Sequence, residues 1–246
     1  MIDVGEAFYE GKAKVLHRTA DPERIVHYFK DDATAFNRQK FGRIDGKGAI
    51  NLRITVALFR LLEQHGIATH LVEALDDRRL LTRRVDVIPL EVVVRNRVAG
   101  TFAKRYGLEE GQDLPHPIVE FFYKQDALGD PLITAEAAIA LGWATDVEVK
   151  VLDATARRID NILVGFFRER GIDLIDFKLE FGRAVDGSIL LVDEISPDSC
   201  RFWDAATGFK LDKDRFRRDL GGVEAAYLEM LTRIEGPPTQ GTLSEP

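Results

Sequence analysis

Between Leu174 and Asp198 the sequence LIDFKLEFGRAVDGSILLVDEISPD places Asp176, Lys178 and Glu180 at alternate positions. Strand side chains point to opposite faces in turn, so these three share one face and Phe177, Leu179 and Phe181 occupy the other. Gly182 and the turn at Asp186, Gly187 and Ser188 reverse the chain. Ile189 to Val192 then reads as a returning strand that delivers Asp193 and Glu194 at its end. Glu180 and Asp193 on neighbouring strands suit a hard divalent cation, which takes oxygen ligands and is often held by one or two carboxylates plus substrate phosphates. A solvated strand face with cross-strand charge pairs gives the same pattern. Lys178 between the carboxylates adds a cation that fits an anionic substrate.

A second cationic group lies near the start, where FYEGKAKVLH reads as two short strands joined around Gly11. Period two sends Lys12 and Lys14 to one side, and a glycine flanked by lysines can cover phosphates. Taken alone, these residues are more commonly a Gly-Lys turn in a solvated hairpin. A third group, Arg95-Asn96-Arg97, ends the alternating run LEVVVRNRV just before Gly100-Thr101. Guanidinium forks match phosphate or carboxylate at two points, so the group reads as an anion site or as surface charge. Lys124 leads into a loop carrying Asp126 and Asp130, carboxylates that either face a site or serve the turn itself. The run Gly42 to Gly48 does not make a Walker phosphate loop. Phe41 stands at the first glycine's place and Gly48 at that of the Ser or Thr.

The elements that must position these groups are an α+β mixture. Ile25 to Lys30 reads as a strand and Asp31 to Asn37 as a polar loop. Ile50 to His65 follows helical spacing up to Gly66. Two strand patterns between Leu80 and Arg97 are broken by Pro89, which makes that proline a hinge candidate. Thr145 with Glu148 is a capping-box pattern opening a long helix. Ser196 to Asp204 reads as a loop, and helical spacing from about Lys213 to Leu231 is interrupted at Gly221-Gly222. The expected division is an N-terminal lobe at 1–88 with the phosphate-covering hairpin, a C-terminal lobe at 89–235 with metal and substrate sites, and a flexible tail at 236–246.

Composition bounds the function. The 246 residues are 45% apolar and 30% charged, as in soluble globular proteins, with room for two cored lobes. A net charge of -7 argues against a general nucleic-acid binder. Cys200 is the one cysteine, so no intrachain disulfide forms and a reducing compartment is expected. The start has no apolar signal core and no stretch is long enough to span a bilayer, which together predict a cytoplasmic protein without membrane contact.

EGKAK at Glu10 to Lys14, KDDATAFN at Lys30 to Asn37, GKG at Gly46 to Gly48, VVRN at Val93 to Asn96, FYKQDALGDP, DFKLEFG and DEISPDSCRFWD occur in that order. Together they resemble the phosphoribosylaminoimidazole-succinocarboxamide synthase (SAICAR synthetase) family over nearly the whole chain. The resemblance implies a two-lobed α+β fold similar to ATP-grasp enzymes, with nucleotide in the cleft between lobes. It implies an ATP-dependent ligase of purine biosynthesis joining L-aspartate to carboxyaminoimidazole ribonucleotide, with Mg2+, in a homodimer. On that basis Gly11, Lys12, Lys14 and Lys124 contact ATP, and Glu180 and Asp193 hold the metal. Arg95, Thr101, Asp130 and Arg201 bind substrate, and Asp176 and Lys178 line the reacting end. Departures are Gln125 where Asn is usual, Thr101 where Ser is common, and Leu52 where a second Asn often follows Asn51. A kinase reading of Asp176-Phe177-Lys178 lacks the third-position glycine and any His-Arg-Asp loop. A non-catalytic nucleotide sensor has no need of carboxylates converging from several segments.

Overall fold

Two antiparallel sheets divide the work of positioning the site. A computed structural model of the chain describes residues 2–35 and 39–238. Phe36 and Asn37 of the KDDATAFN motif, and residues 239–246 of the expected tail, lie outside the described residues. In chain order the elements are β1 (Val4–Glu10), β2 (Lys14–Thr19), β3 (Arg24–Phe29), β4 (Asp32–Ala35), β5 (Lys40–Arg43), α1 (Lys47–Gln64), β6 (Leu71–Ala74) and β7 (Arg79–Arg83). The second half contains β8 (Asp86–Arg97), α2 (Gly100–Tyr106), β9 (Asp113–Tyr123), β10 (Leu132–Ile133), α3 (Ala135–Ala140), α4 (Asp146–Arg168), β11 (Ile172–Arg183), β12 (Ile189–Val192), β13 (Cys200–Asp204), α5 (Asp214–Arg217) and α6 (Val223–Glu235).

The first sheet has the order β1-β2-β3-β7-β6, and the second runs β10-β9-β8-β11-β12 with β13 also pairing β11. The chain passes between them after Arg83 and before Asp86. Pro89 therefore sits inside β8 and does not break it. It falls where the pairing with β11 shifts register between Glu91 opposite Glu180 and Val87 opposite Gly182. A residue without an N–H is tolerated at such an irregularity. Two loops expected from composition are strands instead. Asp32 to Ala35 pairs with Lys40 to Arg43, and Cys200 to Asp204 pairs with the first half of β11. In both, a partner strand satisfies the backbone, the neighbouring one for Asp32 to Ala35 and the more distant β11 for Cys200 to Asp204, which local composition does not report. Cys200 is buried in β13, and burial pushes its thiol well above the usual range.

Phe177, Leu179 and Phe181 on one face of β11 join a core with Leu152, Ile159, Leu163 and Phe167 of α4. The opposite face of β11 therefore points away from the core, towards the first sheet. α1 packs on α6, so the first half of the chain leans on the last helix. No helix among the described residues is long and apolar enough to cross a membrane.

The Thr145 Oγ1 accepts the Glu148 N–H at 3.2 Å, and a Glu148 carboxylate oxygen accepts the Thr145 N–H at 2.7 Å. The same Glu148 accepts from Arg183 Nε at 2.5 Å, tying the helix start to the end of β11. Thr145→Ala is expected to cost about 1 kcal/mol. Glu148→Ala is expected to cost more because it also removes the closest carboxylate partner of Arg183. Urea unfolding of both variants checks the order, and equal losses would contradict the double role.

Candidate active site

The register of β8 against β11 sets three rungs on one face: Glu91 opposite Glu180, Val93 opposite Lys178, and Arg95 opposite Asp176. Alternation along both strands makes this a polar strip on β11, as expected, flanked on β8 by Glu91 and Arg95 with Val93 between them, a juxtaposition that spacing alone did not reveal.

At one end of the strip, the Lys178 ammonium lies 2.5 Å from Glu180 Oε1, 3.0 Å from Glu91 Oε1 and 3.6 Å from Asp193 Oδ2. Lys124, just past β9, donates to the same Glu180 oxygen at 2.8 Å. Lys14, at the start of β2 in the first sheet, donates to Asp193 Oδ1 at 2.5 Å and pairs with Glu194 at 3.0 Å. Burial alone would pull the Lys14 and Lys178 ammonium groups down. The Asp193 and Glu194 carboxylates around Lys14, and Glu180, Glu91 and Asp193 around Lys178, override it and hold both pKa values above the usual range. Burial would likewise raise Asp193, but Lys14, Lys178 and Lys124 hold it far below the carboxylate range. Lys14, Lys178 and Asp193 are therefore ionised at neutral pH. Asp193 has φ of +64°, a left-handed conformation that a non-glycine residue adopts only under constraint. Behind Lys14, the His27 and His70 rings meet edge to face at 5.4 Å. Burial, with His70 and Lys14 nearby, holds His27 well below its usual value, so it stays neutral and leaves the Lys14 charge to the carboxylates.

Gly11 and Lys12 form the turn above this cluster. The Gly11 N–H donates to the Lys14 carbonyl at 2.8 Å, and a Cβ on Gly11 would come 3.2 Å from the Tyr9 ring. Lys12 reaches across to Asp126 in the loop after β9, at 2.7 Å.

At the other end lies a cavity of about 270 Å³ whose lining includes Glu91, Val93, Arg95, Thr101, Asp176, Lys178, Ser199 and Arg201. Five residues singled out in the sequence thus share one space. Arg95 is buried and already held, by Glu120 at 2.5 Å and by Asp176 at 2.9 Å. Both Asp176 oxygens accept from Arg201 Nη1, at 3.0 and 2.8 Å, and Arg201 Nε donates to Asp214 at 2.9 Å. Asp176 is therefore a clamp between two arginines. Thr101 lies exposed in the first turn of α2. Asp130 does not join this space: its Oδ1 accepts the Gln125 N–H at 2.9 Å and shapes the loop after Lys124.

Sequence reasoning missed the buried groups that hold Asp198, a further residue lining the cavity. Lys47, only 1% exposed, crosses from the start of α1 to Asp198 Oδ2 at 2.7 Å, and Tyr227 Oη donates to Asp198 Oδ1 at 2.7 Å. Burial would raise the Asp198 carboxyl, yet Lys213 and Lys47 with the Tyr227 hydroxyl hold it far below the usual range. The glycine-lysine-glycine run was the only local signal for Lys47. Its partner lies 151 residues away.

For a divalent cation the donor chemistry fits. Glu180 and Asp193 are buried or half-buried carboxylates at adjoining strand ends, bridged by one ammonium, and hard oxygen donors suit magnesium. No group of three or more His, Cys, Asp or Glu side chains that could hold a metal occurs among the described residues, so the rest of such an ion's shell falls to phosphate oxygens and water.

A curled antiparallel sheet carrying a lysine–carboxylate strip, faced by a glycine-turn hairpin from a second sheet, gives this α+β architecture a site suited to an anionic ligand. The comparisons make this specific: a family model described as SAICAR synthetase matches residues 7–234, and the chain belongs to that family. The phosphoribosylaminoimidazole-succinocarboxamide synthase of Deinococcus radiodurans is 56% identical over 230 residues, covering 94% of this chain and 97% of the relative. The crystal structure of the Ehrlichia chaffeensis phosphoribosylaminoimidazole-succinocarboxamide synthase superposes with a TM-score of 0.92 at 40% identity, covering 95% of this chain and 100% of that one. A SAICAR synthetase solved in complex with ADP matches with a TM-score of 0.90 at 47% identity, covering 97% of this chain and 100% of its own. The chain is thus a ligase of purine biosynthesis that uses ATP and gives SAICAR.

Lys47→Met should strand the buried Asp198 charge and cost roughly 3–5 kcal/mol, the range for removing one partner of a buried pair. Adding Asp198→Asn should recover part of that loss. Chemical denaturation of the single and double variants measures it. A single variant as stable as the parent would contradict the pairing.

Proposed function

We propose that the chain joins L-aspartate to carboxyaminoimidazole ribonucleotide through an acyl phosphate, with the residue roles that follow. The observation that carries this reading is the ion-paired lysine–carboxylate cluster of Lys14, Lys124, Lys178, Glu180 and Asp193, set directly beside an arginine-lined cavity. A carboxylate is a poor electrophile towards an amine because oxide would have to leave. Converting that oxygen to phosphate removes the obstacle.

In this reading Gly11, Lys12, Lys14 and Lys124 cover the ATP phosphates between an N-terminal lobe at 1–88 and a C-terminal lobe at 89–235. The ADP complex of a SAICAR synthetase 47% identical to the chain supports nucleotide as the co-substrate. Arg95, Thr101 and Arg201 hold the ribonucleotide phosphate, Asp176 orients the two arginines, and Asp130 acts through the loop that presents Lys124. Glu180 and Asp193 would hold magnesium, which when bound supplies charge neutralisation and orientation of the phosphates. Lys178 sits where the imidazole carboxylate meets the γ-phosphoryl group, and its ammonium counters charge on both. The carboxylate oxygen bonds to the γ-phosphorus as ADP leaves. The aspartate nitrogen then bonds to the carbonyl carbon, phosphate leaves with that oxygen, and the former ammonium gives up two protons and keeps one hydrogen in the amide. Enclosure between lobes brings the reacting groups together and keeps water from the acyl phosphate. A cytoplasmic homodimer, as the resemblance implies, belongs to the same proposal.

If the ribonucleotide carboxylate carries heavy oxygen, mass spectrometry after turnover should find one label in inorganic phosphate and one in the amide. Unlabelled phosphate alongside normal amide formation would mean that water had attacked ATP, and the acyl-phosphate route would be lost.

A further inference from the structure

The arginine end of the cavity has a charge problem. Arg95, Arg105 and Arg201 are answered by three carboxylates, those of Glu120, Asp176 and Asp214. That cluster is neutral as a whole, and a dianionic phosphate placed against it needs another cation to be favourable.

Arg217 of α5 supplies one. It lines the same cavity and is half-buried. Its Nη1 donates to Asp214 Oδ1 at 2.6 Å, while Arg201 Nε donates to Asp214 Oδ2 at 2.9 Å. One carboxylate thus grips two guanidinium groups, one oxygen each. Asp214 can do so because it is itself fixed. Its N–H donates to Asp212 Oδ1 at 2.7 Å, and the buried Asp212 accepts the Phe202 N–H on its other oxygen at 2.9 Å. The start of α5 is thereby tied to β13, the strand that carries Arg201. Arg218 also approaches Asp214, at 3.5 Å, but turns its guanidinium to Glu110 instead.

Each gripped arginine keeps donors in reserve. Nε and Nη2 of Arg217 have no partner among the described residues. Nη2 of Arg201 lies over Gly100, whose φ is +55° and where a Cβ would fall 2.4 Å from that nitrogen. Only a residue without a side chain leaves Arg201 this seat beside Thr101. A guanidinium pinned along one edge offers its remaining N–H groups in a fixed direction, the arrangement suited to a phosphate.

We propose that Arg217 is a further anion-binding residue of the cavity, and that Asp214 is the positioning residue that sets Arg217 and Arg201 as a pair against one phosphate dianion. The inference rests on the reading of Arg201 as a ribonucleotide phosphate ligand. It makes the phosphate end of the substrate, and not the aspartate carboxylates, the partner of Arg217.

The test varies ribonucleotide, aspartate and ATP separately in steady-state assays, with calorimetric titration of ribose 5-phosphate and of succinate as phosphate and dicarboxylate probes. Arg217→Gln should raise the KM for ribonucleotide roughly tenfold or more, as expected for a lost charged hydrogen bond. It should weaken ribose 5-phosphate binding and leave the KM for ATP, the KM for aspartate and succinate binding nearly unchanged. Arg217→Lys, which keeps the charge, should recover part of the loss. Asp214→Asn should shift the same KM, and if it lacks a cooperative melt the Arg217 variants decide alone. An unchanged ribonucleotide KM in Arg217→Gln, or a change confined to aspartate and succinate, overturns the proposal. Arg201→Lys separates the two levels. If it weakens ribonucleotide while Arg217→Gln does not, only this inference fails. If Arg201→Lys has no effect on ribonucleotide, the underlying reading fails and takes the inference with it.

Discussion

Charge held out of water between two sheets is the constraint on which the rest of this structure depends. Lys14, Lys124 and Lys178 face Glu91, Glu180, Asp193 and Glu194 within ion-pair distance, three positive groups against four negative ones. Removing such ions from water costs several kcal/mol each, and only close pairing offsets it. The cluster is therefore stable as a set and intolerant of losing a member. Its surplus of one negative charge is the feature that a divalent cation would complement, with the lysines then turning to the phosphate oxygens that accompany it.

The same constraint explains the route of the chain. Lys14 comes from the first sheet and its carboxylates from the end of β12. Lys47 comes from α1 and Asp198 from the loop before β13. Thr55 of α1 also donates to the Ile195 carbonyl at 3.3 Å, a short distance along the same loop. Parting the two halves would leave ions unpaired. The exposed tie from Lys12 to Asp126 lies in a more polarisable setting where an ion pair contributes little, so the glycine turn can exchange it for another anion at small cost.

What the sequence disclosed was periodic or local. Alternation along Asp176, Lys178 and Glu180 placed them on one face, and Thr145 with Glu148 marked the start of α4. The turn at Gly187 correctly delivered Asp193 beside Glu180. What stayed hidden depended on distant partners. Cys200 to Asp204 looks like a polar loop until β11 supplies its hydrogen bonds, and Pro89 looks like a break until the register shift beside it is known. Arg95 could be assigned as an anion binder, but not that Glu120 and Asp176 already engage it. Asp130 had the residue type of a site and the position of a turn, and its oxygen is occupied by the Gln125 N–H.

The central claim is that Glu180 and Asp193 are kept paired to lysines until nucleotide brings its own cation. Titration calorimetry of Mg2+ into the protein, with and without a non-hydrolysable ATP analogue, addresses this directly. The account predicts weak Mg2+ binding to the protein alone, much tighter binding with the analogue than to the analogue by itself, and loss of that gain in a folded Asp193→Asn variant. Equal Mg2+ affinity with and without nucleotide, or an undiminished gain in Asp193→Asn, would contradict it.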